Sequence, residues 1–296
     1  MNQQAERSSN IISDFIESYF ERRMARILLL GMISGFPWVL IASSLSLWLK
    51  EEGLSRSTIG WAGLIFGVYA FNFLWAPLID RLRVPVLTDR LGHRKAWILT
   101  LQAVILVCLL FWSTIDPVSS LALVIGAGLV IAICSATQDI TIDALRIEQI
   151  DKDDARGMAA GAAVAVVGWW SGYKLGGMAA LFMADYLETA GFANYWQMTF
   201  IFLAVLVVLC NIGLLFIPET GTRERAEGQR QAQQAMADRM GGAGPFVQLV
   251  SFLTTTVIEP LWSFFRKNGM QIGIMILAFL FLFKIGEAFM GKMSIV

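Results

Sequence analysis

Imidazole is nearly missing from this chain, whose 296 residues hold one histidine, His93. Set in a connecting loop, that ring supports neither a histidine-based metal site nor a Ser-His-Asp triad. Cysteine is scarce as well. Cys108, Cys134 and Cys210 form no CxxC pair and each lies inside an apolar run, so they read as packing residues. GxSxG, HExxH and phosphate-cradling glycine loops are absent. The sequence therefore assigns no catalytic residue, no metal and no cofactor, and it speaks against an enzyme. Charge is sparse at 16% and balanced, with 23 Lys and Arg against 23 Asp and Glu. No basic face stands out, which excludes nucleic acid as a partner.

What fills the chain instead is hydrocarbon: 56% hydrophobic residues and a mean hydropathy of +0.63. A bilayer core ~30 Å thick is crossed by about 20 apolar helical residues. Six segments meet that requirement, at 24–49, 58–79, 96–115, 118–142, 157–184 and 196–217, and a seventh begins near Met270 and runs to Val296. The fold class is an all-α polytopic membrane protein. Lys and Arg concentrate in alternate connections. Arg22 and Arg23 precede the first span and Arg26 lies at its start, Arg81 to Lys95 follow the second, and Arg146, Lys152 and Arg156 follow the fourth. Arg223, Arg225, Arg230, Arg266 and Lys267 follow the sixth, whereas the third and fifth connections have neither residue. By the positive-inside rule the N-terminus is cytoplasmic.

The first 23 residues are too polar for a cleavable signal and place Ile12, Phe15, Ile16, Tyr19 and Phe20 at helical spacing, as in a short interfacial helix. Residues 24–217 read as a six-helix bundle. Residues 218–269 read as a cytoplasmic linker whose later part, Phe246 to Phe265, is a membrane-surface amphipathic helix, since it carries polar residues and counting it as a span would invert the charge rule. Residues 270–296 read as the seventh helix, the start of an incomplete second half.

Ionisable groups at membrane depth mark cavities or partners. Lys174 lies in the fifth span, and Lys284 and Glu287 lie at similar depth in the seventh, three residues apart on one face. Ser135, Asp139 and Asp143 recur every four residues in the fourth span, with Arg146 continuing the stripe. Asp139 is the deeper carboxylate, placed to exchange protons during a transport cycle. Each has a structural alternative: snorkelling or ion pairing for Lys174, helix-end crosslinks for Asp139 and Asp143, and a local salt bridge for Lys284 and Glu287. Asn72 and Gln102 fit interhelical hydrogen bonding as well as a ligand path. Gly168, Gly172 and Gly176 form a small-residue stripe for close helix packing, with Lys174 about 160° away around the helix. Gly35 and Pro37 predict a kink in the first span.

Two loop segments carry a resemblance. "DRLGHRK" (Asp89, Arg90, Gly92, Arg94 and Lys95) resembles the cytoplasmic loop signature of the major facilitator superfamily. Pro85 stands where that signature usually has glycine, and Asp80 with Arg81 offers a second Asp-Arg pair for the same conformational switch. "ARGMAAG", with Arg156, resembles the loop before that superfamily's fifth helix. "FLWAPLIDR", "SATQDITIDALRIE", "GYKLGG" and "FKIGEAF" together resemble its AmpG muropeptide permease branch over nearly all of this chain and about half of the family's length. That resemblance implies proton-driven import of muropeptides across the bacterial inner membrane for cell-wall recycling. Asp139, Asp143, Lys174 and Glu287 become the candidate path or coupling groups. It also implies that the chain is a truncated form, requiring a missing half or a second copy. The alternatives are transport of another small solute (a drug, sugar or acyl-CoA) and a non-transporting membrane sensor.

Overall fold

The computed structural model describes Tyr19, residues 21–151 and 153–219, scattered positions between 227 and 252, and residues 254–293. Residues 257, 260, 281, 284, 285 and 287–293 are described by backbone alone. Apart from Tyr19, the expected interfacial helix before the first span lies outside the described residues, and so does much of the linker between residues 220 and 253. Among the described residues the structure is helical. The elements are α1 (Arg22–Glu51), α2 (Arg56–Leu74), α3 (Ala76–Arg81), α4 (Leu87–Leu91), α5 (His93–Trp112), α6 (Leu121–Glu148), α7 (Ala155–Thr189), α8 (Tyr195–Leu215), α9 (Glu259–Asn268) and α10 (Met270–Met293).

Five of these, α1, α2, α5, α6 and α8, are long and apolar enough to cross a membrane. The sixth expected span lies in α7. Its 35 residues reach about 52 Å, with much of their apolar character supplied by alanine and glycine. Polarity is distributed as a lipid environment requires. Val107, Leu110, Ile133, Ile201, Val205, Leu209 and Ile212 face outward, while Ser34, Gln102, Ser135, Gln138 and Thr141 are buried. In a helix each backbone N–H and C=O is satisfied internally, which is what permits such a surface to sit in hydrocarbon.

The closest packing joins α1 and α7. A Cβ added at Gly168 would lie 2.4 Å from the Leu28 carbonyl oxygen, one at Gly172 2.2 Å from that of Met32, and one at Gly35 2.1 Å from that of Trp169. Backbone meets backbone along this seam, so only hydrogen fits at these positions. Gly176 continues the line against the Phe36 ring and Val39.

The first span is irregular beside Pro37, where a kink was expected, and the second is irregular as well. After Pro37, α1 opens into a π-helical turn at Val39–Ser44 before resuming at Leu45. The second span passes through 3-10 segments at Gly63–Gly67 and Asn72–Leu74 and is interrupted at Trp75, with α3 restarting around Pro77. Proline removes one intrahelical donor in each case. In α1 the carbonyl deprived of its i+4 N–H is that of Ile33, and the fully buried Gln138 of α6 donates Nε2 to it at 3.0 Å. Gln138→Leu should therefore lower stability by ~1–3 kcal/mol by stranding a buried acceptor. In a Pro37→Ala background, where the helix can supply its own N–H, the loss should shrink. Thermal midpoints of the four combinations in detergent measure the coupling, and strict additivity would exclude this account.

At the end where α1 meets α2, the Glu51 carboxylate accepts from Tyr195 Oη at 2.9 Å and Trp196 Nε1 at 2.5 Å. Trp48, Trp112 and Phe200 pack there as a buried ring cluster with centroids 4.9 to 6.2 Å apart. At the opposite, basic end, Asp154 caps α7 by accepting from Gly157 N at 2.7 Å and pairs with Arg23 at 2.8 Å. The amide bond first, and then the guanidinium, hold its carboxyl below the usual carboxylate range.

Candidate functional site

Two polar regions merit a functional reading, one inside the bundle and one at its basic end. The inner one is organised by α6. Asp139 accepts a hydrogen bond from Ser34 Oγ at 2.5 Å, close to the Ile33 carbonyl that Gln138 holds. The carboxylate thus touches α1 three residues before Pro37. Tyr69, buried in α2, lies within electrostatic reach of Asp139. Asn72 Nδ2 donates to the Ala136 carbonyl at 3.3 Å, and Trp75 Nε1 donates to Thr137 Oγ1 at 3.0 Å. Side chains from the irregular part of the second span therefore bind the same turn-and-a-half of α6 that carries Asp139.

Asp143, one turn further along α6, goes elsewhere. Its side chain is 67% exposed and pairs with Arg146 at 3.2 Å. The structure thus separates the two carboxylates that the four-residue spacing put on one stripe. Gln102 is buried beside a small cavity lined by Phe36, Pro37, Ile105, Val207 and Cys210. Lys174 projects from α7 with its Nζ 5.7 Å from the Trp170 ring centroid and 5.5 Å from that of Tyr173. The side chains of Lys284 and Glu287 lie outside the described residues.

The basic end holds the ion pairs of the candidate switch loop. Arg94, 11% exposed, donates Nη1 to Asp80 and Nε to Glu148 at 3.4 Å, which joins α3, α5 and α6. Asp89 of α4 instead pairs with the exposed Arg83 at 2.5 Å, and Arg90 is exposed. Arg81 turns the other way and donates to Thr255 Oγ1 and to the Thr255 carbonyl, both at 2.5 Å. Thr255 lies in a π-helical turn, Thr254–Ile258, that leads into α9. The adjacent pair Asp80 and Arg81 thereby ties the second span to the bundle on one side and to the linker on the other. Arg156 is exposed at the start of α7, near Asp154.

Glu219, which lies beyond α8, completes this cluster. Its carboxylate accepts from the backbone N–H groups of Arg94 at 2.9 Å and Lys95 at 2.9 Å. These are first-turn donors of α5 that no residue within that helix can satisfy, and the helix dipole favours an anion there. Gly92 permits the arrangement twice over. Its φ of +101° suits glycine, and a Cβ would fall 2.5 Å from Glu219 Oε2. His93 Nε2 donates to the Ile79 carbonyl at 2.9 Å, so the one histidine is a buried structural donor.

Glu148, Glu219, Ser34, Gln138, Tyr69 and Thr255 were not singled out from sequence. The Pro-Glu pair directly after the sixth span was the available signal for Glu219. Pro37 was the signal for Gln138, because every buried proline in a helix leaves a carbonyl that something else must satisfy.

Comparison with known proteins agrees with this architecture. Residues 27–293 match the Major Facilitator Superfamily. The anhydromuropeptide permease of Escherichia coli K12 is 31% identical over 278 residues, covering 94% of this chain and 48% of the permease. Putative transporter AmpG 4 of Rickettsia conorii is 29% identical over 272 residues, covering 92% of this chain and 58% of that protein. The chain spans about half the length of the curated relatives it matches. With its helical bundle, apolar outer surface and inward polar side chains, the chain belongs to the Major Facilitator Superfamily and is similar to its AmpG-like transporters.

Proposed function

We propose that this chain carries out proton-coupled import of anhydromuropeptides across the bacterial inner membrane, with its N-terminus in the cytoplasm. The observation that carries the coupling part is the contact of Asp139 with Ser34 at 2.5 Å. It places a titratable group between α6 and the part of α1 that proline and a π-helical turn interrupt. An ionised carboxylate accepts a strong charge-assisted bond from the serine hydroxyl, and a protonated one does not. Proton uptake therefore alters how firmly α1 is held to α6. Similarity to the anhydromuropeptide permease of Escherichia coli supports the substrate.

In this reading the basic end faces the cytoplasm, and Asp80, Arg94, Glu148 and Glu219 form the clasp that closes it. Residues 24–217 act as one helical unit, residues 218–269 as the connection and α10 as part of a second unit. The relevant test is uptake of labelled anhydromuropeptide by proteoliposomes containing the full chain, with an imposed inward proton gradient. Accumulation that a protonophore abolishes is expected. Equal uptake with and without the gradient would reject proton coupling, and no uptake under either condition would reject the transport reading.

A further inference from the structure

Rings from three spans form a continuous wall beside the α1/α7 seam. Trp38 of α1 packs on Phe66 and Tyr69 of α2 with centroids 5.0 and 4.8 Å away, and on Trp169 of α7 at 5.5 Å. Trp169 stacks on Tyr173 at 5.7 Å with 25° between their planes, and Trp170 meets both rings edge to face. The wall ends at Lys174, above Trp170 and Tyr173.

Depth makes this lysine informative. It stands ~28 Å from the start of α7 and ~22 Å from its end, so it lies near mid-membrane, beyond the reach of lipid phosphate at either surface. A cation exposed to hydrocarbon there is costly, and contact with two rings offsets only part of that cost. Among the described residues Lys174 makes no ion pair, and Trp170 beside it is 51% exposed. A half-exposed indole next to a cation that makes no ion pair among the described residues complements a ligand that joins an apolar sugar face to a negative charge.

We propose that Trp169, Trp170, Tyr173 and Lys174 form a recognition site for a carboxylate-bearing sugar conjugate. A pyranose face lies on the rings and a carboxylate pairs with Lys174. The proposal rests on the muropeptide reading above and assigns it a site. Glycine packing along the adjoining α1/α7 seam holds the site rigid, because the helix cannot roll without forcing backbone into backbone at Gly168 and Gly172.

Two probes test it by calorimetric titration of the purified full chain in nanodiscs: an anhydromuropeptide and the same compound with its carboxylates amidated. Lys174→Met should weaken the free acid ~10–100-fold, the range expected for losing a charged hydrogen bond, and leave the amide unchanged. Lys174→Arg should retain most of the affinity for the acid. Trp170→Ala should weaken both probes by a similar factor, roughly threefold to tenfold. Lys174→Met binding the acid as tightly as the unmodified chain, or weakening both probes alike, would overturn the site while leaving the muropeptide reading intact. An unmodified chain that binds neither probe would overturn that reading and the site with it.

Discussion

Replacing Arg94 with alanine is expected to slow muropeptide uptake roughly tenfold to a hundredfold and to open the basic end of the bundle. The guanidinium meets two carboxylates from different helices, Asp80 and Glu148, and its removal leaves two anions facing each other. Asp80 is 45% exposed and regains water, so most of the cost falls on Glu148, which is 15% exposed. A charged hydrogen bond of this kind is worth ~1.5–3 kcal/mol, which corresponds to about a tenfold to hundredfold change in the balance between closed and open forms. Arg94→Lys should recover part of the rate but not all of it, because one ammonium cannot span both acceptors as a planar fork does. A cysteine placed at Thr88, which is 3% exposed, reads the same equilibrium without transport. Maleimide labelling should rise in the alanine variant and lie between the extremes in the lysine variant. Unchanged labelling together with unchanged uptake would show that the Asp80, Arg94 and Glu148 cluster does not hold the bundle closed.

The clasp also shows where sequence reading stops. Runs of about 20 apolar residues and alternating basic loops are one-dimensional signals, so an all-helical polytopic chain was legible, and five of the expected spans coincide with helices long and apolar enough to cross a membrane. The glycine stripe was legible too, because a spacing of four defines a helix face whatever lies opposite. Partners remote in sequence were not. Arg94 is 54 residues from Glu148 and its amide is 125 from Glu219, and a glutamate at a helix end looks like any solvated charge until the fold brings it to a helix N-terminus. The second span illustrates a different limit. Apolar composition is the same for an α-helix and for 3-10 segments, and Pro77 alone hinted that the helix restarts. Asp143 shows a third limit. Four-residue spacing puts it near the face of Asp139, but an arginine three residues on draws it outward.

Asp139→Asn carries the largest expected effect on energy coupling. The site lies ~14 Å from the basic end of α6, counting nine residues from Glu148, within the apolar part of the bundle. There a carboxylate that changes charge alters the local electrostatics far more than it would in water. Asparagine keeps the shape and can still accept from Ser34, but it is neutral at every pH and so resembles the protonated form. The variant should exchange labelled for unlabelled muropeptide across proteoliposomes within about threefold of the unmodified rate, since neither substrate recognition nor the α1/α6 contact is removed. It should nevertheless fail to concentrate substrate when an inward proton gradient is imposed. The pH dependence has a definite sign. Gradient-free uptake by the unmodified chain should decline as external pH rises and the carboxyl loses its proton, whereas the variant's exchange should remain flat over the same range. Asp139→Glu should restore gradient dependence at a lower rate, because one added methylene displaces the carboxyl from Ser34 while leaving it titratable. Ser34→Ala separates this from a purely structural role. If the serine bond tunes proton affinity, its loss shifts the midpoint of the uptake-pH curve, and if it only packs helices, all rates fall together with no shift. An Asp139→Asn chain that still accumulates muropeptide against its gradient would remove Asp139 from the coupling mechanism altogether.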